Sequence, residues 1–192
     1  MWANENFYNG YIVAAIAKHG NAASLPLVQA IIGVESGFKP TAYRNEPKIN
    51  DASRGLMQVL YRTALGTGWV GTAQQLMDPE TNIGVGVKYL SDLIRRKSGD
   101  ILAAVSAYNN GHGKRASEPI TTCLARDTKT GECIKSFTAM PGQFYNQPYV
   151  DKVVGALRYF DGSVPEPSLG SETLTSLVML GGALWLATRK RS

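Results

Sequence analysis

The chain has 192 residues, of which 44% are hydrophobic and 18% charged. This composition is typical of one globular domain plus a short additional segment, and it excludes an intrinsically disordered protein. The formal net charge of +5 favours anionic partners. The cations are scattered, however, and no arginine-rich helix or stripe of basic and aromatic residues indicates binding of nucleic acid.

The first predicted helix covers residues 5–19, where apolar side chains recur at helical spacing. It has no basic leader, so we expect the start of the fold rather than a signal peptide. Ser24 is predicted to cap a second helix, which is apolar around much of its circumference and ends near Glu35. Such a helix belongs in the centre of a core.

Residues 38–54 contain two prolines and many small polar side chains, which predicts a loop. The stretch 55–68 is predicted to be helical. Three further helices are predicted from caps or from apolar periodicity, and they cover residues 78–94, 100–108 and 145–160. The fold class is therefore mainly α, a compact helical domain at residues 1–160.

The region 114–144 is rich in loops and contains both cysteines of the chain, Cys123 and Cys133. A tight turn at residues 129–132 predicts a small hairpin that brings the sulfurs together as a disulfide. The alternative is two unpaired thiols. A disulfide would imply an oxidising compartment. There is no CxxC pattern, and only two histidines are present, so we predict neither a metal site nor a cofactor.

Two segments follow the helical domain. Residues 161–171 contain two prolines, two glycines and three serines, which predicts a linker. Residues 172–192 are uncharged from Leu174 to Thr188 and end on three cations, and we predict a C-terminal transmembrane anchor. The alternatives are an amphipathic helix at the membrane surface or another packed core helix. A spanning helix would place its basic end in the cytoplasm or interior and the domain on the opposite face.

Glu35 is the candidate catalytic residue because a carboxylate is unfavourable at that position. It lies at the negative end of a helix dipole, and Ile31 and Ile32 precede it by one turn. Both effects would raise the pKa of the carboxyl and keep a proton available, as a general acid requires. Glu46 and Asp51 are the nearest second carboxylates, and their polar surroundings predict solvated loop charges.

Five stretches in series resemble the soluble-lytic-transglycosylase (SLT) type domain, which has a lysozyme-like fold of the α+β superfamily. They are ESGFKPTA (35–42), GLMQV (55–59), TA (63–64), LMDPETNIGVGVKYLSDL (76–93) and AVSAYNNGHG (104–113). The resemblance covers residues 8–160 and also includes a closing helix. Tyr61 replaces a proline common in the family and Asn110 replaces an alanine, which leaves substrate preference open.

The resemblance implies cleavage of the bond between N-acetylmuramic acid and N-acetylglucosamine in peptidoglycan, giving 1,6-anhydromuramic ends. It assigns Glu35 as the catalytic acid and base. It assigns substrate contacts to Ser36, Met57, Gln58, Tyr108, Asn109 and Tyr149, of which Tyr149 belongs to a closing helix that packs behind the site. Plain core packing is the alternative for Met57 and Tyr108, and it is the expectation for Leu56.

The alternatives are a goose-type lysozyme activity, with Glu46 or Asp51 positioning a water, and a non-catalytic glycan-binding scaffold of a membrane machine. A membrane-anchored wall enzyme suits a phage virion with an internal membrane or entry apparatus. It also suits a secretion apparatus in a bacterial inner membrane with the domain facing the periplasm. Peptidoglycan strands, the membrane and other virion or secretion proteins are the expected partners.

Overall fold

The computed structural model describes residues 2–127 and 129–160. Its helices are α1 (Asn9–Lys18), α2 (Leu25–Ser36), α3 (Tyr61–Gly66), α4 (Pro79–Arg96), α5 (Ile101–Asn110) and α6 (Gln147–Phe160). Its strands are β1 (Tyr43–Glu46), β2 (Asp51–Arg54), β3 (Val59–Leu60), β4 (Ile120–Arg126) and β5 (Cys133–Ala139). The prediction of a mainly helical domain with a small cysteine-bracketed hairpin is confirmed.

The predicted linker at 161–171 and the predicted anchor at 172–192 lie outside the described residues. Among the helices of the described ranges, none combines the length and the apolarity that a bilayer crossing requires.

Helix α2 forms the centre of the core, as its sequence predicts. Ser24 Oγ accepts a hydrogen bond from the backbone N–H of Leu27, which caps the first turn. Most of the following side chains are buried, and α2 packs chiefly against α6. Gly37 ends the helix in the left-handed conformation at φ 60°, which glycine adopts at little cost. This stop fixes Glu35 in the last turn.

Helices α4 and α5 also begin at the predicted caps. Asp78 Oδ1 accepts from the N–H of Thr81 at 2.8 Å, and Asp100 Oδ1 accepts from the N–H of Ala103 at 2.8 Å. The predicted apolar face of α4 is buried, namely Ile83, Val87, Leu90 and Ile94.

The prediction of a loop over residues 38–54 is wrong in part, since this region holds the antiparallel pair β1–β2. Tyr43 lies opposite Arg54, and Glu46 lies opposite Asp51. Strand β3 extends the sheet beyond β2, so only residues 61–66 of the predicted helix 55–68 are helical. The side chains of β1 are polar and mostly exposed, so the strand lacks the alternation of apolar and polar residues that predicts a β-strand. Only its backbone pairing identifies it.

The second sheet is the hairpin β4–β5, in which Cys123 and Cys133 form a disulfide. An isolated bridge between Arg115 and Phe144 closes the base of this excursion between α5 and α6. The two ends of the segment that contains the hairpin therefore lie next to each other, at Arg115 and Phe144.

The turn between β2 and β3 depends on one buried side chain, Asn82 of α4. Its amide nitrogen donates to the carbonyls of Arg54 and Leu76 at 2.8 and 2.7 Å, and its oxygen accepts from the N–H of Met57 at 2.8 Å. Gly55 makes the contact possible: it has φ 68°, and a Cβ there would lie 2.5 Å from the Asn82 amide nitrogen. Asn82 thus connects α4 to the turn that carries residues 55–58.

We expect Asn82→Ala to lower the free energy of unfolding by about 3 kcal/mol, because three buried backbone groups lose their partner. Urea denaturation followed by circular dichroism measures this change. The exposed Asn45 offers the matched control, and Asn45→Ala is expected to change stability by less than about 0.5 kcal/mol. Equal effects of the two substitutions would contradict the role assigned to Asn82.

Candidate active site

A cleft of about 270 Å³ lies between the β1–β2–β3 sheet and helices α2, α4 and α5. Its polar lining residues are Glu35, Arg44, Glu46, Ser53, Gln58, Thr63, Tyr89, Tyr108 and Asn109. Four sequence-predicted site residues are therefore brought together here, namely Glu35, Gln58, Tyr108 and Asn109.

The Glu35 carboxyl is the desolvated carboxyl of the cleft. Burial raises the pKa of Glu35, while the Tyr149 hydroxyl and the nearby Arg44 guanidinium each lower it by a smaller amount. The Tyr149 hydroxyl donates to Glu35 Oε1 at 2.7 Å. Burial and the neighbouring Glu35 raise the pKa of Tyr149 well above its usual value, so this donor keeps its proton. The hydrogen bond from Tyr149 fixes one oxygen of the Glu35 carboxyl. The net effect of these neighbours is that Glu35 keeps its proton to a higher pH than an exposed glutamate does.

Tyr149 lies behind Glu35 on α6 rather than in the lining of the cleft. Its hydrogen bond to the carboxyl makes it a positioning group for Glu35, at the expected place behind the site. Direct contact between Tyr149 and a substrate stays a prediction.

Tyr108 and Gln58 are held by backbone carbonyl groups. The Tyr108 hydroxyl donates to the carbonyl of Met57 at 2.9 Å, and the Gln58 amide nitrogen donates to the carbonyls of Ala42 and Gly55 at 3.1 and 3.0 Å. Gln58 itself has φ 48°, an unusual value for a residue with a side chain. These bonds fix two walls of the cleft.

Asn109 is exposed at the cleft rim, where its side-chain oxygen accepts from the Asn146 amide nitrogen at 3.0 Å. Asn146 also donates to the backbone carbonyl of Ser106 at 3.1 Å. The start of α6 is thereby joined to α5 beside the cleft.

The prediction that Met57 lines a substrate groove is wrong. Its side chain is 0% exposed and packs against Gly86 of α4, where an added Cβ would lie 2.5 Å from the sulfur. Only the backbone carbonyl of Met57 acts at the site, as the acceptor for Tyr108. Leu56 is also 0% exposed, so the core role predicted for it is confirmed.

Ser36 lies outside the lining of the cleft, and its hydroxyl donates back to the carbonyl of Ile32 at 3.1 Å. That bond satisfies the hydroxyl within the last turn of α2. Contact between Ser36 and a substrate stays a prediction.

The two other carboxylates differ from each other, although the sequence predicts solvated loop charges for both. The Asp51 side chain is 6% exposed, and it accepts from the backbone N–H of Ala52, Tyr61 and Arg62. Burial raises its pKa, but these donors and the Arg54 guanidinium outweigh burial and lower it to about 2. The prediction is therefore wrong for Asp51, which is a structural anion at the β2–α3 junction.

Glu46 faces the cleft with Glu35 and has a half-exposed side chain. It accepts from Ser53 Oγ at 3.3 Å and pairs with the Arg44 Nε at 2.6 Å. Of the two carboxylates, Glu46 is the one that shares the site.

Arg44 and Tyr89 are cleft residues that sequence reasoning did not single out. Arg44 is in β1, a strand that the composition concealed. Tyr89 is in α4, and its ring lies 5.3 Å from that of Tyr108. The sequence of α4 does not indicate that Tyr89 belongs to the cleft, because its aromatic partner, Tyr108, comes from another helix.

A larger cavity of about 510 Å³ lies between α1, α4 and the segment that follows α3. Its carboxylates, Asp78 and Glu80, are exposed, and Asp78 is already used as a helix cap. We therefore place the candidate active site at the smaller cleft, where the desolvated Glu35 is found.

A family model described as the transglycosylase SLT domain matches residues 12–120, which is more than half of the chain. The peptidoglycan transglycosylase gp16 of Escherichia phage T7 is 33% identical over 101 residues, covering 51% of this chain and 7% of that protein. The endo-type membrane-bound lytic murein transglycosylase A of Cronobacter sakazakii is 41% identical over 85 residues, covering 40% and 39%.

Among solved structures, the lytic transglycosylase Slt of Pseudomonas aeruginosa matches with a TM-score of 0.47 and 29% identity. The match covers 53% of this chain and 16% of that one. In each of these three proteins, the matching segment is less than half of the relative's length.

We expect Tyr149→Phe to raise the pKa of Glu35, because the lost hydroxyl stabilises the ionised carboxylate. Carbon NMR titration of the Glu35 carboxyl measures the change directly. Tyr145→Phe is the matched control, since Tyr145 contacts the His112 ring and makes no described bond to Glu35. An unchanged or lower pKa in Tyr149→Phe would show that the hydrogen bond does not act on the acid.

Proposed function

The chain belongs to the transglycosylase SLT domain family, and on that premise we propose that it is a peptidoglycan lytic transglycosylase with Glu35 as its catalytic acid and base. The observation that carries this proposal is the desolvated Glu35 carboxyl in a cleft, held by Tyr149. A carboxyl whose pKa is raised by burial suits protonation of a glycosidic oxygen. The lysozyme-like fold expected for the family is part of the proposal.

In the first step, Glu35 donates its proton to the oxygen that joins N-acetylmuramic acid to N-acetylglucosamine. The C1–O bond breaks, and the leaving sugar departs with a new hydroxyl. The oxygen of the neighbouring 2-acetamido group stabilises the positive charge that develops at C1, which is the work a second carboxylate does in most glycosidases.

In the second step, the Glu35 carboxylate removes the proton from the 6-hydroxyl of the same muramic sugar. The 6-oxygen attacks C1, forms the 1,6-anhydro ring and releases the acetamido group. Glu35 regains its proton, and no water is consumed. The hydrogen bond from Tyr149 supports this step, because it stabilises the ionised state of Glu35 between the two proton transfers.

The other cleft residues are proposed to bind and orient the substrate. Asn109, on the exposed rim, is suited to hydrogen-bond an N-acetyl group or a ring substituent. Gln58 is proposed to do the same through the amide oxygen, since its nitrogen is used by two backbone carbonyls. Tyr108 and Tyr89 supply an aromatic wall against the sugar face.

A goose-type hydrolase is the second candidate, and the position of Glu46 in the cleft favours it. In that mechanism, Glu46 would orient a water that attacks C1, and the products would carry hydrated reducing ends. The contacts of Glu46 count against it as a base, because its Oε1 is already occupied by the Arg44 guanidinium and the Ser53 hydroxyl. Asp51 is unsuitable for either mechanism since its oxygens are taken by backbone donors.

We expect Glu35→Gln to lower the rate of wall cleavage at least about a hundredfold, because an amide cannot transfer the proton. Zymography on purified peptidoglycan and mass spectrometry of the released fragments measure rate and product together. The parent is expected to release anhydro ends, which are lighter than hydrolysed ends by one water molecule.

Glu46→Gln is the matched control, and it is expected to keep producing anhydro ends. A predominance of hydrated ends that disappears in Glu46→Gln would favour the hydrolase instead. Equal clearing by Glu35→Gln and the parent would remove Glu35 from the mechanism. An inactive parent that still binds the wall would favour the non-catalytic scaffold.

The site of action is proposed to be a membrane, with residues 172–192 as the anchor and 161–171 as the linker from domain 1–160. The uncharged run from Leu174 to Thr188 supports the anchor. A phage relative and a relative named as membrane-bound support local opening of the wall during phage entry or by a secretion apparatus.

We expect deletion of residues 172–192 to move the protein from the membrane fraction to the soluble fraction, since the deletion removes the apolar run. Immunoblots of fractionated cells that produce the full chain or the deletion measure the change. Replacement of the three terminal cations alone is the control, and it is expected to leave the protein with membranes. Full recovery of the deletion variant in membranes would contradict the anchor.

A further inference from the structure

The cleft contains one feature that the proton-transfer mechanism does not use, the Arg44 side chain. Among the described residues that line the cleft, Arg44 is the only cation. Its side chain is 68% exposed, so a ligand in the cleft has free access to it. It also lies near enough to Glu35 for its charge to lower the pKa of that acid.

The guanidinium is oriented from one side only. Its Nε is 2.6 Å from Glu46 Oε1, and Ser53 Oγ donates to the same carboxylate oxygen at 3.3 Å. Within the described chain, the two terminal nitrogens of Arg44 have no hydrogen bond or ion pair. A guanidinium held through Nε presents these nitrogens as a fork, which matches the two oxygens of a carboxylate.

A contribution to folding stability does not explain the Arg44–Glu46 ion pair well. Both members of the Arg44–Glu46 pair are partly exposed, and exposed ion pairs contribute little to folding. The β1–β2 hairpin already has backbone pairing along four residue pairs from Tyr43–Arg54 to Glu46–Asp51. The pair is better explained as a means of directing Arg44 within the cleft.

We propose that Arg44 is a specificity residue, which binds a carboxylate on the peptide substituent of the glycan and is oriented for this by Glu46 and Ser53. The inference rests on the proposed function, because it takes a peptidoglycan strand as the occupant of the cleft. It defines the substrate further: strands whose peptides carry free carboxylates are preferred to strands whose carboxylates are amidated.

Binding at Arg44 also changes the electrostatics of the acid. The charged and titratable groups that line the cleft with Glu35 are Arg44, Glu46, Tyr89 and Tyr108, and Tyr149 lies behind it. A bound carboxylate neutralises the cation that lowers the pKa of Glu35. An acidic substrate therefore helps to keep the catalytic proton in place until the glycosidic bond breaks.

The test compares two substrates that differ only in charge: polyanion-free peptidoglycan, and the same material with its carboxyl groups converted to carboxamides by carbodiimide and ammonia. We expect Arg44→Gln to lower kcat/KM on the acidic substrate about tenfold, mainly through a higher KM, as the loss of one charge-assisted contact predicts. On the amidated substrate, at a pH on the acid plateau of the rate profile, where Glu35 is protonated in both proteins, we expect the parent and Arg44→Gln to be equal within about twofold. Arg158→Gln, an exposed change on α6 outside the cleft, is the control and is expected to match the parent on both substrates.

A second measurement removes catalysis from the test. Isothermal titration with soluble muropeptides in a Glu35→Gln background is expected to show tighter binding of acidic than of amidated fragments. The added substitution Arg44→Gln is expected to abolish that difference. Thermal melting of every variant checks that the fold is retained.

The outcomes separate the two claims. If the parent cleaves the wall in a Glu35-dependent way but Arg44→Gln affects both substrates equally or neither, only the role of Arg44 is refuted. If the parent cleaves neither substrate, or if Glu35→Gln is fully active, the proposed function fails and this inference fails with it.

Discussion

The hydrogen bond between the Tyr149 hydroxyl and Glu35 Oε1 is the interaction on which the candidate site depends. It joins residues 114 positions apart in the sequence, and it crosses the contact between α2 and α6 at the centre of the core. A carboxyl buried at the end of a helix is costly to ionise, and one neutral donor reduces that cost without removing it. The result is an acid that can exist in both protonation states, which a two-step proton transfer requires.

A second constraint fixes the opposite wall of the cleft. Asn82 of α4 binds three backbone groups around residues 54–76, so the turn at Gly55 cannot move independently of α4. Tyr108 of α5 then donates to the carbonyl of Met57 in the same turn. Through these bonds, the helices hold a short irregular segment in the shape that places Gln58 beside Glu35. The GLMQ sequence thus serves mainly as a backbone scaffold, since Leu56 and Met57 are fully buried.

The three carboxylates in and beside the cleft each have a different environment. Glu35 is desolvated and faces one hydroxyl, Glu46 is half-exposed and paired with Arg44, and Asp51 is enclosed by backbone donors. Under the proposed function, these three carboxylates suit different purposes: proton transfer, orientation of a cation, and closure of a strand–helix junction. This division explains why a mechanism with a single catalytic carboxylate fits the site better than a paired one.

Local sequence determined the helices and the position of the acid. Ser24, Asp78 and Asp100 cap their helices through bonds to residues three positions away, and Gly37 stops α2 directly after Glu35. Such signals are readable because their physical cause lies within one helical turn. The cysteine spacing around a tight turn predicted the β4–β5 hairpin, because the two strands are neighbours in the sequence. Tertiary structure alone decided that Tyr149 contacts Glu35, that Met57 is buried, that Asp51 is locked and that Arg44 enters the cleft. Each of these depends on partners from distant elements, and the strand β1 that carries Arg44 forms through backbone pairing to which its side chains give no pattern.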